Sequence, residues 1–225
     1  MNRARAITTG LLLIVIAALI GLGVWQLERR TWKLALIAHT EAMLAQPPVP
    51  APGPDRWPAI GKDDVYRPVV VRGHYRTGAD TLVQAVTELG GGFWVMTPFD
   101  TDRDFTLLVN RGFVPADRRT GIAPSPAMQS IRGLLRLSEP GGAFLRTNDP
   151  AADRWYSRDI AAIAARRELG RVAPYFIDAS DPRSGWPRGG LTVVRFRNSH
   201  LVYALTWFGL AALVAAMAWR VRRRV

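Results

Sequence analysis

Arg195-Phe196-Arg197-Asn198-Ser199-His200-Leu201-Val202-Tyr203-Ala204-Leu205-Thr206-Trp207 is the stretch on which the fold turns. It opens an apolar run that continues to Trp219 and ends in Arg220, Arg222, Arg223 and Arg224. One imidazole, His200, therefore stands where a long hydrophobic segment meets water, with arginines outside it and aromatic rings inside. The other end of the chain is a loose mirror. Ile7 to Val24 is apolar, and Trp25-Gln26-Leu27-Glu28-Arg29-Arg30-Thr31-Trp32-Lys33 follows. A helix needs about 20 apolar residues to cross roughly 30 Å of hydrocarbon. Both terminal runs meet that requirement and no central run does. The expected architecture is an α+β membrane protein. Two transmembrane helices flank a β-rich extracytoplasmic domain, which is a small antiparallel sheet or open barrel with one helix.

The divisions follow from composition. Residues 1–45 hold the first transmembrane helix and its extension, 46–64 a Pro-rich linker, 65–197 the β-rich domain, and 198–225 the second transmembrane helix with a basic tail. The chain carries a net charge of +12, and only Lys33 and Lys62 among its basic residues are lysines. No recognition helix or nucleic-acid module accompanies that charge, so nucleic acid is not the expected partner. Arginines at the ends of spanning helices serve as topology signals and as partners for anionic head groups, so the bilayer is. There is no cysteine, which removes disulfides, zinc–thiolate sites and thiol catalysis.

The first apolar run is longer than a signal-peptide core, and no small-x-small cleavage site follows it, so it reads as a retained anchor. An Arg- and Ser-rich transit peptide is missing, which favours a bacterial chain. The Arg220 to Arg224 cluster places the C-terminus in the cytoplasm by the positive-inside rule. Both termini are then cytoplasmic, the central domain is periplasmic, and the expected location is the bacterial inner membrane.

Within the insert, the first helix continues past the apolar run to about Leu44. Trp25, Arg29 and Trp32 recur at helical spacing and share one face. The ordinary reading of such a face is an aromatic belt with snorkelling cations. Pro47 to Pro58 is too proline-rich for helix or central strand, and reads as an extended linker lifting the insert off the bilayer. Strands are expected at Arg67–Tyr75, Thr81–Val86, Gly92–Phe99, Phe105–Pro115 and Ser130–Leu137,. A helix from Ser157 to Leu169 follows, with Ser157 as N-cap and Gly170 as stop. Closing strands fall at Tyr175–Asp178 and Leu191–Val194.

Little in this chain suggests catalysis. Asp100-Thr101-Asp102-Arg103-Asp104 alternates like a calcium loop, but Phe105 and Arg111 occupy positions that need glycine and glutamate. A charged hairpin turn accounts for it better. No nucleophile elbow, phosphate loop or His-Glu-x-x-His occurs. His39 and His74 read as surface or packing residues, and the chain is not expected to be an enzyme. His200 has two readings. It is either an interfacial residue at a helix start capped with Asn198 and Ser199, or a functional group at the mouth of a spanning helix. Tyr203 and Trp207 share its face. An imidazole above aromatic rings beside arginines suits a planar, propionate-bearing ring, with His200 as axial iron ligand.

The residues carrying a family resemblance are three ordered motifs. Gly23-Val24-Trp25-Gln26-Leu27-Glu28-Arg29-Arg30-Thr31-Trp32-Lys33 is similar to G-x-W-Q-x-x-R-x-x-W-K. Val109-Asn110-Arg111-Gly112-Phe113-Val114-Pro115, preceded by Gly73-His74-Tyr75, is similar to V-N-R-G-W-V-P preceded by G-x-Y/F. Asn198 through Phe208 is similar to N-N-H-L-x-Y-A-x-T-W-Y, departing at Ser199 and Phe208. Jointly they resemble the surfeit-locus protein 1 family of cytochrome c oxidase assembly factors. The resemblance implies two spans around an extracytoplasmic domain. It also implies haem a as transient cargo, delivered to or stabilised in the oxidase catalytic subunit, with haem a synthase as a further partner. On that reading His200 binds the haem iron. Tyr203, Trp207, Trp25, Arg29 and Trp32 line the ring, and Arg29, Arg195 and Arg197 are propionate partners. The spans would pair through Ala17/Gly21 and Ala212/Ala216, bringing Trp25, Arg29 and Trp32 opposite His200, Tyr203 and Trp207. The alternative is a two-span scaffold that binds oxidase subunits or the synthase without touching haem. A two-span sensor fits poorly, because the tail after Arg220 is short.

Overall fold

A computed structural model of the chain describes residues 3–143, 145–180, 185–191 and 198–223. In chain order its elements are α1 (Arg3–Leu44), β1 (Val49–Pro50), β2 (Pro68–Tyr75), β3 (Thr81–Thr87), β4 (Gly90–Thr101), β5 (Thr106–Pro115), β6 (Gln129–Leu137), α2 (Ile160–Arg166), β7 (Val172–Ala179) and α3 (His200–Arg223). They fall into two units, one made of Met1–Glu41 with Val194–Val225 and the other of Ala42–Val193. The expected strand at Leu191–Val194 lies outside the described residues from 192 onward, as do Arg195, Arg197 and Arg224.

The strands of the central unit form one sheet in the order β1-β2-β6-β7-β5-β4-β3. A further pairing of β2 with β4, Gly73 to Tyr75 against Thr101 to Phe99, closes β2, β6, β7, β5 and β4 into a five-stranded barrel. Of the two expected arrangements, a small antiparallel sheet or an open barrel, the barrel is the one found; it is closed, and one of its pairs is parallel. A closed ring with an odd number of strands cannot alternate direction throughout, so one neighbouring pair must run parallel. Here it is β5 with β7. Closure also satisfies edges that an open sheet would leave unpaired.

Closure depends on Gly73. It pairs with Gln129 on one side and Thr101 on the other, and a Cβ there would stand 2.1 Å from the Asp100 carbonyl oxygen. Strand alternation sets the core. Val69, Val71, Tyr75, Phe99, Leu107, Val109, Ile131, Leu135, Tyr175 and Ile177 fill the barrel. Leu108 and Phe176, one residue out of phase, face outward under α2 with Val83, Met96, Trp155, Ile160 and Ile163.

Two local expectations are revised. α2 starts at Ile160, and its N-cap is Asp159, whose carboxylate accepts from the Ala162 amide at 3.1 Å. Ser157 is engaged elsewhere, accepting from the Gly142 amide at 2.9 Å and the Asn148 amide group at 3.0 Å. The helix ends before Leu169 because Glu168 takes the left-handed conformation, φ 50°. The Pro-rich segment is extended only over its first part, where it joins the sheet edge. It turns at 54–56 and forms a short 3₁₀ helix over Trp57–Ala59, with Trp57 packed on the barrel core, so the expectation of an extended, helix-free linker is corrected there. Val49–Pro50 pairs parallel to β2. Ala51 is fully buried, and the Pro52 carbonyl accepts from the Tyr175 hydroxyl at 2.7 Å. Burial pushes the Tyr175 phenol well up, which keeps that donor protonated,. The Asp100 to Asp104 run is the expected hairpin turn, closed by Thr101 N–H to Phe105 C=O at 3.0 Å.

In the other unit, α1 and α3 are both long and apolar enough to cross a membrane. They pack antiparallel. His200 meets Gln26, while Phe208, further along α3, meets Gly23, earlier in α1. The sheltered positions include Leu12, Ile16, Leu19, Gly23 and Gln26 on α1, with Arg30, Lys33, Ile37 and Thr40 further on, and His200, Ala204, Trp207, Ala211, Val214 and Ala218 on α3, with Phe208 beside Trp207. Alternating steps of four and three residues are the signature of left-handed, heptad-like packing. Gly23, Ala204 and Ala211 are the buried small residues of this seam, and their size lets the two helix backbones approach closely. Ala17, Gly21, Ala212 and Ala216 are exposed, so the expected small-residue faces are not the ones that pair.

Candidate functional site

The middle motif builds structure. Asn110 and Asp178 are 4% exposed. Asn110 Nδ2 donates to Asp178 Oδ1 at 2.8 Å, and its own Oδ1 accepts from the Gly112 amide at 3.1 Å. Arg136 donates to Asp178 Oδ2 at 2.9 Å, Arg158 to Asp178 Oδ1 at 3.3 Å, and Arg158 also to Glu139 at 2.9 Å. Burial disfavours the Arg158 cation, but Glu139 and Asp178 outweigh it, and the guanidinium ends above its ordinary value. Arg111 donates to the Ile122 carbonyl at 2.7 Å. Gly112 sits at φ 125°, where a Cβ would be 2.0 Å from the Arg188 carbonyl oxygen. Phe113 is fully buried, edge-on to Trp94 and Trp186. Asn110, Arg111, Gly112 and Phe113 are thus all engaged within the central unit.

The two terminal motifs differ. His200 Nδ1 lies 2.8 Å from Gln26 Oε1, joining the first turn of α3 to α1. Two residues earlier, the Asn198 side-chain oxygen is buried with no hydrogen-bond partner, so it does not cap the helix start. Trp25, Trp32 and Tyr203 are 52%, 54% and 55% exposed, far more than packing rings would be. The Arg29 guanidinium lies 4.4 Å from the centre of the Trp32 ring, a cation–π contact that holds both side chains.

A helical wheel relates these groups. From Gln26, the residues Trp25, Arg29 and Trp32 lie about 60–120° around α1, and Tyr203 lies about 60° around α3 from His200. Because the helices run in opposite directions, these offsets fall on one common flank. Trp207 lies on the seam itself, half-buried. The wheel thus puts Trp25, Arg29 and Tyr203 on the flank beside the Gln26–His200 contact, side by side where face-to-face was expected,. Trp32, on the flank, and Trp207, on the seam, stand about 20 Å apart along the axis at 1.5 Å per residue. Arg197, the remaining expected site residue, lies outside the described residues. Gln26 was missed by periodicity reasoning. Its signal was its place in the first motif, one residue from Trp25, and only the partner helix gives it a role.

Among the described residues, no three His, Asp or Glu side chains converge as metal ligands. His74 lies 4.0 Å from Asp100, half-exposed on the barrel, and nothing there extends to a site.

The chain matches known proteins along nearly its whole length. The SURF1 family model covers residues 13–212. Surfeit locus protein 1 of Rattus norvegicus is 38% identical, over 93% of this chain and 74% of the rat protein. That of Homo sapiens is 39% identical, over 90% and 73%. The SURF1-like protein of Drosophila melanogaster is 32% identical, over 93% and 75%. With the three motifs in order, on two apolar helices and the barrel between them, this chain belongs to the SURF1 family.

Proposed function

We propose that this protein is a two-span inner-membrane assembly factor for haem–copper cytochrome oxidase. It holds haem a on one flank of its helix pair and hands it to, or stabilises it in, the catalytic subunit. The observation that carries this reading is the single imidazole at the helix mouth beside aromatic rings more than half exposed on one flank. A bare ion needs several converging protein donors, whereas an iron porphyrin brings four of its own and asks for one axial ligand. His200 would supply the axial nitrogen, and the rings of Trp25 and Tyr203, exposed on the flank nearest to it, would line the macrocycle. Trp32 and Trp207 lie too far apart along the axis to face one ring together. Arg29, held over Trp32, pairs with a propionate. The open side of such a site suits a cargo that must leave. The oxidase catalytic subunit, and haem a synthase as donor, are the partners this reading requires.

Orientation follows from charge. Arg220, Arg222 and Arg223 end α3 and hold that end in the cytoplasm, which places His200, Gln26 and the barrel on the periplasmic side. The protein acts by binding and transfer and performs no bond chemistry of its own.

The test is pigment analysis of the full chain purified in detergent from cells that make haem a. Wild type is expected to carry a Soret band, and His200→Ala is expected to lose it while inserting normally and keeping the melting of its barrel. Equal haem content in the two proteins would overturn the carrier reading and leave the scaffold that binds only protein.

A further inference from the structure

We infer that Gln26 is a positioning residue that selects which nitrogen of His200 meets the iron, so that α1 sets the chemistry of a ligand carried by α3. This rests on the haem reading above.

A neutral imidazole has one donor and one acceptor nitrogen, and a hydrogen bond at one decides the state of the other. Gln26 Oε1 lies 2.8 Å from His200 Nδ1. A carbonyl can only accept, so this pairing is made by the tautomer that carries its proton on Nδ1 and its lone pair on Nε2. That tautomer leaves Nε2 ready to ligate iron. Turned the other way, the Gln26 amide would donate to Nδ1 and leave the proton on Nε2, where iron could not bind.

The position of Gln26 makes this a built contact. Gln26 follows Leu19 and Gly23 on the α1 seam, and both it and His200 are half-buried there. Gly23 admits the Phe208 ring, whose nearest atom would be 2.5 Å from an added Cβ. That close approach fixes the level at which α1 presents residue 26 to the start of α3. A hydrogen bond to the distal nitrogen of a ligating histidine orients the ring and raises its basicity, and losing it typically costs 10–100-fold in affinity. The imidazole can therefore grip the metal fully only while the two helices are paired at this level. Spreading them would loosen the axial bond, which links release of the cargo to movement between the spans.

The test uses the full chain in detergent, loaded with haem a, and compares wild type, Gln26→Leu and Gln26→Glu. Transfer of haem to an excess of apomyoglobin measures release, and the ferric EPR spectrum and midpoint potential report the axial bond. Gln26→Leu is expected to release haem roughly 10–100-fold faster. Gln26→Glu, a stronger acceptor, is expected to retain haem and to show a lower midpoint potential than wild type. Should Gln26→Leu fail to insert, Gln26→Glu decides alone. An unchanged potential and EPR spectrum would overturn the inference, as would unchanged release from a well-inserted Gln26→Leu. If wild type itself carries no His200-dependent Soret band, the haem reading fails instead, and the two failures are told apart by that one control.

Discussion

The barrel and the helix pair treat polar and aromatic residues in opposite ways. In the barrel, Asn110, Arg111, Arg136, Arg158 and Asp178 are buried or nearly so, with hydrogen bonds to one another and to backbone. Phe113 and Trp155 are fully enclosed there. On the helix pair, Trp25, Trp32 and Tyr203 stand more than half exposed, and the Asn198 oxygen is buried without a partner. Completed networks belong to a scaffold. On the proposed haem reading, exposed rings near a lone imidazole, with an acceptor left unsatisfied, are what a surface for a transient cargo leaves behind. The three family motifs divide along the same line, one for the barrel and two for the helix mouth.

Breaking the barrel side of this contrast is expected to give the largest stability effect. Asp178→Ala removes the carboxylate shared by Asn110, Arg136 and Arg158. Deleting one partner of a buried ionic network costs about 3–5 kcal/mol. Glu139 still holds both arginines, which favours the lower end, about 3 kcal/mol. Urea unfolding followed by tryptophan fluorescence would show it, and His200-dependent pigment binding in the surviving folded protein should persist.

Breaking the helix side should do the reverse. Gly23→Leu drives a side chain into the space of the Phe208 ring, and spreads the seam on which Gln26 reaches His200. The expected result is a longer distance between the spans, read between spin labels on cysteines placed at the exposed positions 17 and 212 of a chain that has none of its own. Barrel stability should move by less than about 0.5 kcal/mol, as for substitutions remote from a core. A seam distance unchanged from wild type would refute the packing described here.

The smallest effect sharpens the contrast through pH. Burial pushes the Asp100 carboxyl up, but hydrogen bonds from Arg76 and Thr106 and the Arg76 charge outweigh it, so the group sits below its ordinary 3.8. Because the folded value is depressed, this carboxylate stabilises the barrel at pH above about 4 and stops doing so as pH falls through that lower value. Asp100→Asn should therefore lower stability slightly at neutral pH and flatten its decline in acid, measured by melting temperature between pH 6 and 3. An acid limb identical to wild type would show that the carboxylate contributes nothing.

Much of the fold was legible in the chain. Strand alternation and turn residues located β2 through β7 within a few residues, since period-two burial leaves a local trace. The helix after Ser157 was misjudged at both ends. Its true cap, Asp159, and its left-handed terminator, Glu168, were outranked by residues with stronger average preferences, and Ser157 was already engaged by Gly142 and Asn148. Barrel closure had no local trace at all. It rests on the approach of Gly73 to Asp100, residues far apart in the chain.

The candidate site divides in the same manner. The sequence by itself determined two apolar helices of membrane-spanning length, a cysteine-free β-rich insert, the lone His200 at a helix mouth, and aromatic and arginine residues at helical spacing. All of these are properties of composition and period, which single segments carry. Only tertiary structure decided which face of each helix is the seam, that Trp25, Trp32 and Tyr203 fall on one flank while Trp207 falls on the seam, and that Gln26 is the residue that reaches His200. Seam choice is a matter of complementarity between two surfaces. Ala17 and Gly21 are as small as Gly23 and Ala204, and no single helix records which of its small faces the other will fit.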